Sequence, residues 1–356
     1  MKNLFNARVL LAGLMAIFCL YACHRDDGGI IPHQDFDVSR ANLVADTAGY
    51  SAARVDTNLA NAWGMAAAPG GPIWIAANHK GVSVIYDNSG NTLRPPVRIP
   101  SAMPAPGQVG APSGMVFNST TDFGGNKFIF ASEEGIILAW SSGNSAMKVA
   151  DRSSANAVYK GITIVKDGDA NLLCATNFRA GNVDVFDKNF TFVGNNRFVD
   201  PNIPAGFAPF NIQVIGEKVY ITYAKQKLPD KMDDDKGLGN GYIDVFTPHG
   251  NLIKRFASQG MLNSPWGIAL APAGFADAQP TILFGNFGDG HINVFDMGGN
   301  FKGLLRSESQ SVTIEGLWAI DFLKGNMPGG SPNDPLYFTA GPADESHGIF
   351  GTLRKH

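Results

Sequence analysis

Cysteine and charged residues are both scarce in this chain. Three of its 356 residues are cysteine, and Asp, Glu, Lys and Arg together make up 17%. So little charge leaves few of the Glu and Lys residues that cover helix surfaces, which argues against a mainly helical protein. The formal net charge of −3 gives no long-range attraction to nucleic acid or to an anionic lipid surface. We therefore expect no nucleic-acid partner.

Common catalytic motifs are absent as well. The sequence has no Gly-x-Ser-x-Gly elbow, no His-Glu-x-x-His zinc motif, no phosphate-binding loop and no Cys-x-x-Cys-His haem site. A glycine-rich stretch at 285–290 lies between predicted strands, so no helix follows it to offer its N-terminus to a phosphate. The sequence therefore assigns no catalytic residue.

The N-terminal residues are typical of a bacterial export signal. Lys2 and Arg8 form a short basic start. They precede an apolar run, residues 9–21, that is too short to span a membrane. It ends in Leu-Tyr-Ala-Cys, which resembles a lipobox with Cys23 as the lipidated residue. An ordinary secretory signal is the alternative. We expect a signal peptide over 1–22, a lipid-anchored tether over 23–41, and attachment to the bacterial outer membrane or cell surface through this lipid alone.

The cysteine count also bears on the exported domain. Cys19 would leave with the signal peptide and Cys23 would carry lipid, so Cys174 has no partner for an internal disulfide. It lies in the apolar segment Leu-Leu-Cys-Ala, typical of a buried strand. We expect Cys174 to be a small core residue rather than a nucleophile.

Glycine is plentiful, and it recurs in a pattern. Six segments open with glycine, and in the first five an aromatic residue follows five positions later; they begin at Gly81, Gly135, Gly181, Gly241, Gly290 and Gly348. An apolar strand opened by glycine or a substitute precedes each segment, and a third strand lies between. A period of roughly 50 residues is typical of propeller blades. The sequence therefore predicts an all-β fold, with residues 42–356 forming a six-bladed β-propeller of inner, middle and outer strands.

Short motifs across this region resemble a family of exported bacterial propeller proteins that are described only as conserved and uncharacterised. The motifs are Asn-Ala-Trp-Gly at 61–64, Ala-Pro-Phe-Asn-Ile-Gln at 208–213, Tyr-Ala-Lys-Gln at 223–226, Gly-Asn-Gly at 239–241, Leu-Asn-Ser-Pro-Trp-Gly at 262–267, Gly-Asn-Phe-Gly-Asp-Gly at 285–290, Gly-Leu-Trp-Ala at 316–319 and Tyr-Phe-Thr-Ala-Gly at 337–341. The resemblance implies the fold and export, and brings no established activity. More distantly, the blades resemble NHL-repeat propellers and gluconolactonase-like enzymes.

Polar residues concentrate where inner strands begin and where middle strands turn into outer ones. In a propeller these loops share one end of the central channel, which we call the mouth face. They include Asn61, Asn78, Glu133, Lys160 and Glu345. Gluconolactonase-like propellers use a Glu, Asn and Asp set on this face, and that resemblance makes five residues candidate ligands for a substrate or a divalent cation such as Ca²⁺: Glu315, Asn177, Asn263, Asn286 and Asp289. The alternative is that these Asn and Asp residues only shape turns.

The fourth blade replaces its short turn with an insertion, residues 225–240, that contains Asp233, Asp234 and Asp235 in succession. The spacing is not that of an EF-hand. We expect a solvated loop, with a lid or a weak calcium site as the alternative. For the whole protein we expect non-catalytic recognition of a glycan, peptide or envelope protein at the mouth face. A divalent-metal-dependent hydrolase of the gluconolactonase type is the alternative, and a purely structural envelope protein is a third possibility.

Overall fold

A computed structural model describes residues 37–103, 105, 107–307, 310–324 and 330–356. The expected signal peptide, Cys23 and most of the expected tether lie outside these residues. Within them, no helix is long and apolar enough to cross a membrane. The helices of this part are single 3-10 turns, at Ala48–Tyr50, Asn78–Lys80, Phe123–Gly125 and Ser153–Ala155.

Six antiparallel sheets, one for each blade, surround a central channel. The innermost strands are β3 (Ala62–Ala67), β7 (Pro112–Phe117), β11 (Tyr159–Asp167), β15 (Phe207–Ile215), β19 (Pro265–Ala271) and β25 (Leu317–Asp321). The second strands are β4 (Ile73–Ala77), β8 (Phe128–Ser132), β12 (Ala170–Asn177), β16 (Lys218–Lys225), β20 (Thr281–Asn286) and β26 (Leu336–Ala340). The third strands are β5 (Val82–Tyr86), β9 (Ile136–Trp140), β13 (Asn182–Phe186), β17 (Gly241–Phe246), β21 (Ile292–Asp296) and β27 (Ile349–Lys355). The predicted six-bladed, all-β propeller is confirmed.

Each blade has a fourth strand that the sequence pattern did not reveal. These strands are β6 (Val97–Arg98), β10 (Met147–Asp151), β14 (Phe192–Gly194), β18 (Leu252–Ser258), β22 (Phe301–Leu304) and β1 (Val38–Ala45). Most are short and their residues are largely exposed or half-buried. They consequently lack the strict apolar alternation that marks a strand in a sequence. The segments expected to be outer strands are the third strands of four-stranded blades.

The sixth blade is completed by the first and last long strands of the described residues, β1 and β27. Strand β1 pairs antiparallel with β27, from Val38 opposite Lys355 to Ala45 opposite Ile349. A short strand, β2 (Arg54–Val55), extends this sheet, and β23 (Arg306–Ser307) and β24 (Gln310–Ser311) form a separate small hairpin. The propeller thus begins at Val38, ahead of the expected boundary at residue 42. The reason is that residues 38–41 supply the edge of the closing sheet.

Apolar side chains fill the space between neighbouring blades and hold the ring together. Cys174 is fully buried in one of these layers, as expected, and burial raises its pKa to about 12. Around the channel the inner strands approach one another closely. A Cβ atom on Gly114 would lie 2.9 Å from the Cα atom of Gly161. This contact explains why the repeated inner-strand motif contains glycine.

Candidate functional site

The mouth face carries a compact group of polar side chains, the mouth cluster: Asn61, Asn78, Glu133, Lys160, Asp233 and Glu345. Lys160 is the second residue of β11, so it stands at the channel end of an inner strand. Glu133 and Glu345 lie in the turns between the second and third strands of their blades. Both loop types therefore meet at one end of the channel, as the order of the strands predicted.

Lys160 is the centre of the cluster, and its side chain is only 2% exposed. Its Nζ atom donates a hydrogen bond to Oε1 of Glu133 and lies 3.5 Å from Oδ1 of Asp233. The other carboxylate oxygen of Glu133 accepts a hydrogen bond of 2.9 Å from Asn78. Glu345 accepts one of 3.0 Å from Asn61. A buried ammonium group is thus surrounded by carboxylates that are themselves held in place.

The charges of the cluster influence one another. Burial lowers the pKa of Lys160, but the nearby carboxylates of Glu133 and Asp233 outweigh it, so the pKa is raised. Burial, followed by repulsion from Glu133, raises the pKa of Glu345 to about 7. Three carboxylates face one ammonium group, which leaves the cluster with an excess of negative charge. Strongly shifted titratable groups that converge in this way are typical of functional sites.

Beneath the mouth cluster, a group of aromatic rings fills the channel. This aromatic plug consists of Trp63, Phe178, Phe210, Trp266, Phe287 and Trp318. The Trp318 ring lies at its centre, with ring centroids 3.8 Å from both Trp63 and Phe287. The three tryptophans pack the blades, since Trp63, Trp266 and Trp318 are only 1%, 4% and 1% exposed. They offer no exposed face for stacking a sugar.

Asn61 connects the plug to the mouth cluster. Its Oδ1 atom accepts hydrogen bonds from the indole Nε1 atoms of Trp63 and Trp318, at 2.7 and 3.2 Å. Its Nδ2 atom donates to Glu345. Lys160 adds a second connection, because its Nζ atom lies 5.0 Å from the centroid of the Trp63 ring. The polar floor of the mouth is therefore positioned by the rigid core below it.

Three of the predicted ligands lie together in the fifth blade. The Nδ2 atoms of Asn263 and Asn286 each donate a hydrogen bond of 3.1 Å to Asp289. The oxygen of Asn263 accepts from the backbone N–H of Gly237, and that of Asn286 accepts from Asn293. These amide oxygens are already engaged, so a cation would have to displace the hydrogen bonds that fix the turn.

The two other predicted ligands lie elsewhere. The oxygen of Asn177 accepts hydrogen bonds from the backbone of Val158 and Ala180 in the third blade. Glu315 is exposed, and its Oε1 atom accepts a hydrogen bond of 2.9 Å from the backbone of Ala343. In the described residues, no three His, Cys, Asp or Glu side chains are grouped so as to hold a metal ion. These observations do not fit a preformed metal site, and metal binding at this set stays a prediction.

The insertion at 225–240 packs against the mouth. Asp234 is buried, and burial raises its pKa, whereas Asp233 reaches Lys160 and is 67% exposed. Asp235 forms an ion pair of 2.9 Å with Lys225. Lys236 lies 4.2 Å above the Phe287 ring. Residues 227–233 are exposed, in keeping with the expected solvated loop, while these contacts hold the segment against the channel end.

Sequence reasoning placed Lys160, Glu133 and Glu345 on the mouth face but did not select them. One signal could have done so: Lys160 places a charge at the channel end of an inner strand, immediately before its glycine. A lysine at such a position needs a buried counter-ion. Which carboxylates supply it depends on loops that are far apart in the sequence.

Sequence comparisons link the chain to viral proteins. It is 29% identical over 334 residues to uncharacterized protein L690 of Acanthamoeba polyphaga mimivirus, covering 89% of this chain and 86% of that protein. Uncharacterized protein R648 of the same virus is 27% identical over 341 residues, covering 91% and 82%. Comparison with models of known protein families gives no match. These relatives do not support the bacterial origin that the sequence motifs led us to expect.

Solved structures of low sequence identity share the fold. A streptogramin B lyase superimposes with a TM-score of 0.53 at 13% identity, covering 90% of this chain and 97% of the lyase. Regucalcin from Agrobacterium tumefaciens, a calcium-binding protein, gives a TM-score of 0.53 at 12% identity, covering 90% and 96%. The chain therefore shares the propeller fold with these two proteins. At these identities the similarity concerns the fold alone.

Proposed function

We propose that this protein is a non-catalytic binding propeller whose mouth face recognises a positively charged segment of a partner protein. The observation that supports this most directly is the mouth cluster, in which Glu133, Asp233 and Glu345 face the single ammonium group of Lys160. Asp233 is largely exposed, so part of this negative charge is accessible to a partner. Complementary charge would guide and orient such a partner.

The insertion adds apolar contact area beside this charge. Leu228 and Leu238 are 71% and 69% exposed. Exposed apolar side chains next to charged groups are typical of surfaces that bind proteins. A segment with alternating basic and apolar residues would match both features.

Fluorescence anisotropy with a labelled peptide of alternating arginine and leucine tests this proposal. We expect saturable binding that weakens as salt is added, and about three- to tenfold weaker binding for Asp233→Asn and for Glu345→Gln. Glu217→Gln is the matched control, because it removes one exposed carboxylate from a turn between β15 and β16, at the other end of the channel. Equal binding of a glutamate–leucine peptide, or an equal loss with Glu217→Gln, contradicts the proposal. Binding of a neutral glycan instead would identify a different ligand class.

The metal-dependent hydrolase is tested with the same protein. Calorimetric titration with calcium is compared between the wild type and Glu315→Gln. One tightly bound ion that is lost in the variant would replace the binding proposal with the hydrolase, and would justify a screen of lactones and esters. No ion, or one bound equally by both proteins, would remove Glu315 from consideration.

We also propose that the protein is exported and anchored through a lipid on Cys23. Support comes from the basic start, the short apolar run and the lipobox-like residues 20–23. After expression of the full chain in bacteria with an alkyne-labelled fatty acid, we expect label on the wild type and on Cys174→Ser, and none on Cys23→Ser. Label that persists in Cys23→Ser contradicts the anchor.

A further inference from the structure

The half of the channel beyond the aromatic plug contains an open cavity of about 330 Å³. Inner strands from all six blades line it. Apolar side chains, including Met65, Met115, Val116, Ile268 and Ile320, share its walls with polar groups. Cavities of roughly 300–1,000 Å³ with apolar walls and a few polar groups are typical of small-molecule sites.

Asp321 is the only ionisable side chain among the described residues that line this cavity. Its Oδ1 atom accepts a hydrogen bond of 2.8 Å from the backbone N–H of Leu323. It forms no ion pair with any residue in the described part of the chain. Asp321 is half-buried, and burial raises its pKa to about 6, the direction expected for a carboxylate that lacks a nearby cation. A cationic ligand in the cavity would supply the missing counter-ion.

Among the other polar side chains that line the same cavity are two that lack a hydrogen-bond partner in the described part of the chain. Thr163 and Gln213 come from the inner strands of the third and fourth blades, β11 and β15. Neither side chain is hydrogen-bonded to another residue within the described ranges. These two are thus available to the polar groups of a ligand or of bound water.

We infer that this cavity binds a small organic cation, an ammonium group on a short aliphatic body, with Asp321 as the counter-ion. The apolar side chains of the lining receive the aliphatic part, and Thr163 and Gln213 supply hydrogen bonds. The aromatic plug separates this site from the mouth cluster, because Trp266 contributes both to the plug and to the cavity wall. The site is therefore independent of the proposed mouth-face function, and either can fail without the other.

Calorimetric titration of the full chain with n-alkylammonium ions, from ethyl to hexyl, tests the inference. We expect saturable binding that strengthens about threefold with each added methylene until the cavity is filled. The matching alcohols lack only the charge and should bind at least about tenfold more weakly. Asp321→Asn should reduce hexylammonium affinity about tenfold and leave hexanol binding unchanged. Glu217→Gln, a charge change outside the cavity lining, should alter neither.

A second variant keeps the test valid if Asp321→Asn folds poorly. Ala67 is half-buried and lines the cavity, so Ala67→Phe fills the space while Asp321 keeps its charge. It should abolish the binding of both hexylammonium and hexanol, with folding checked by circular dichroism. The inference is overturned if hexylammonium does not bind, if it binds no better than hexanol, or if both variants bind it as the wild type does.

Discussion

Lys160 shows how much of the mouth face depends on a single side chain. Its ammonium group donates a hydrogen bond to Glu133, lies 3.5 Å from a carboxylate oxygen of Asp233 and sits over the ring of Trp63. Removing one partner from a buried ion pair leaves the other charge uncompensated, which costs more than the pair itself contributes. The stability of this face is therefore sensitive to changes that separate these charges.

Lys160→Met should lower the free energy of unfolding by about 3 kcal/mol, because Glu133 then loses its buried counter-ion. Urea unfolding followed by tryptophan fluorescence measures the loss. Adding Glu133→Gln should restore part of the stability, since the orphaned charge is removed. The control is Lys225→Met, which breaks only the exposed pair with Asp235 and should change stability by less than about 0.5 kcal/mol. Equal losses from both lysines would contradict the central role of Lys160.

Glu345 gives the mouth cluster a pH dependence. Its pKa is raised in the folded protein, from 4.5 to about 7, so the folded state binds this proton more tightly than the unfolded state. Its contribution to stability is therefore complete below about pH 4.5 and is lost as the pH rises to about 7 and beyond. Glu345→Gln cannot ionise, and should be more stable than the wild type at pH 8 by about 1–2 kcal/mol.

Melting temperatures at pH 5 and pH 8 test this directly. The decrease between the two values should be smaller in Glu345→Gln than in the wild type. Asp344→Asn, at the exposed neighbouring position, should leave the decrease unchanged. An identical decrease in all three proteins would place the pH dependence elsewhere, for example at Asp244 or Asp321, whose pKa values burial raises to about 6.

At the level of elements, the inner strands are defined by how closely they pack around the channel. Gly64, Gly114 and Gly161 each lack room for a methyl group, since an added Cβ atom would fall within 3 Å of the next blade. In the fourth blade Asn211 stands at this point, and its Nδ2 atom donates a hydrogen bond to the carbonyl oxygen of Trp266. A polar side chain thus replaces glycine where it can bond to the neighbouring strand.

Gly114→Ala should destabilise the protein by about 2 kcal/mol, because the added Cβ atom would meet the backbone of Gly161 and Ile162 at 2.9 and 3.0 Å. Thermal unfolding measures the effect. Gly49→Ala is the matched control, since no atom lies within 4 Å of its added Cβ. Equal melting temperatures for the two variants would show that the inner strands can separate to accept a side chain.

Several hairpins between third and fourth strands share a turn in which an Asp side chain accepts backbone hydrogen bonds. The Oδ1 atom of Asp87 accepts hydrogen bonds from the backbone of Ser89 and Asn91, at 2.8 and 2.9 Å. Asp187 and Asp296 do the same in the third and fifth blades. These turns are local in sequence, because each Asp accepts hydrogen bonds from backbone groups two and four residues further along the chain.

For the whole molecule, stability depends on closing the ring. Val38, Val44 and Ala45 of β1 are completely buried against the last blade. Without β1, strand β27 would become an unpaired edge and its neighbours would lose apolar contacts. Strands β1 and β27 must therefore pair before the six-bladed ring is complete.

Chains that begin at residues 37, 42 and 46 test this closure. The chain from residue 42 should be less stable than that from residue 37 by about 2 kcal/mol, since it lacks Val38 and the first pairs with β27. The chain from residue 46 lacks all of β1 and should lose cooperative unfolding by circular dichroism. Equal stability of all three chains would show that the other five blades suffice.

The repeat alone determined the class of fold and the number of blades. Strands that are buried on both faces must be apolar, and inner strands that touch must carry small residues. Both features therefore recur as a local sequence pattern in each of the six blades. The face on which Lys160, Glu133 and Glu345 lie also followed from strand order. The fourth strands were not predicted, because exposed edge strands do not require an apolar sequence pattern. Strand β1 was not predicted because its partner, β27, lies near the other end of the chain.

Only the tertiary structure decided which polar residues act together. Asn263, Asn286 and Asp289 satisfy one another locally, whereas Lys160 finds its counter-ions in other blades. The cavity beside Asp321 likewise exists only where six inner strands converge. Local hydrogen bonds and the repeating pattern of buried residues depend on a few neighbouring residues in the sequence. The partners of a buried charge lie far away in the sequence, and closure of the ring sets their distances from that charge.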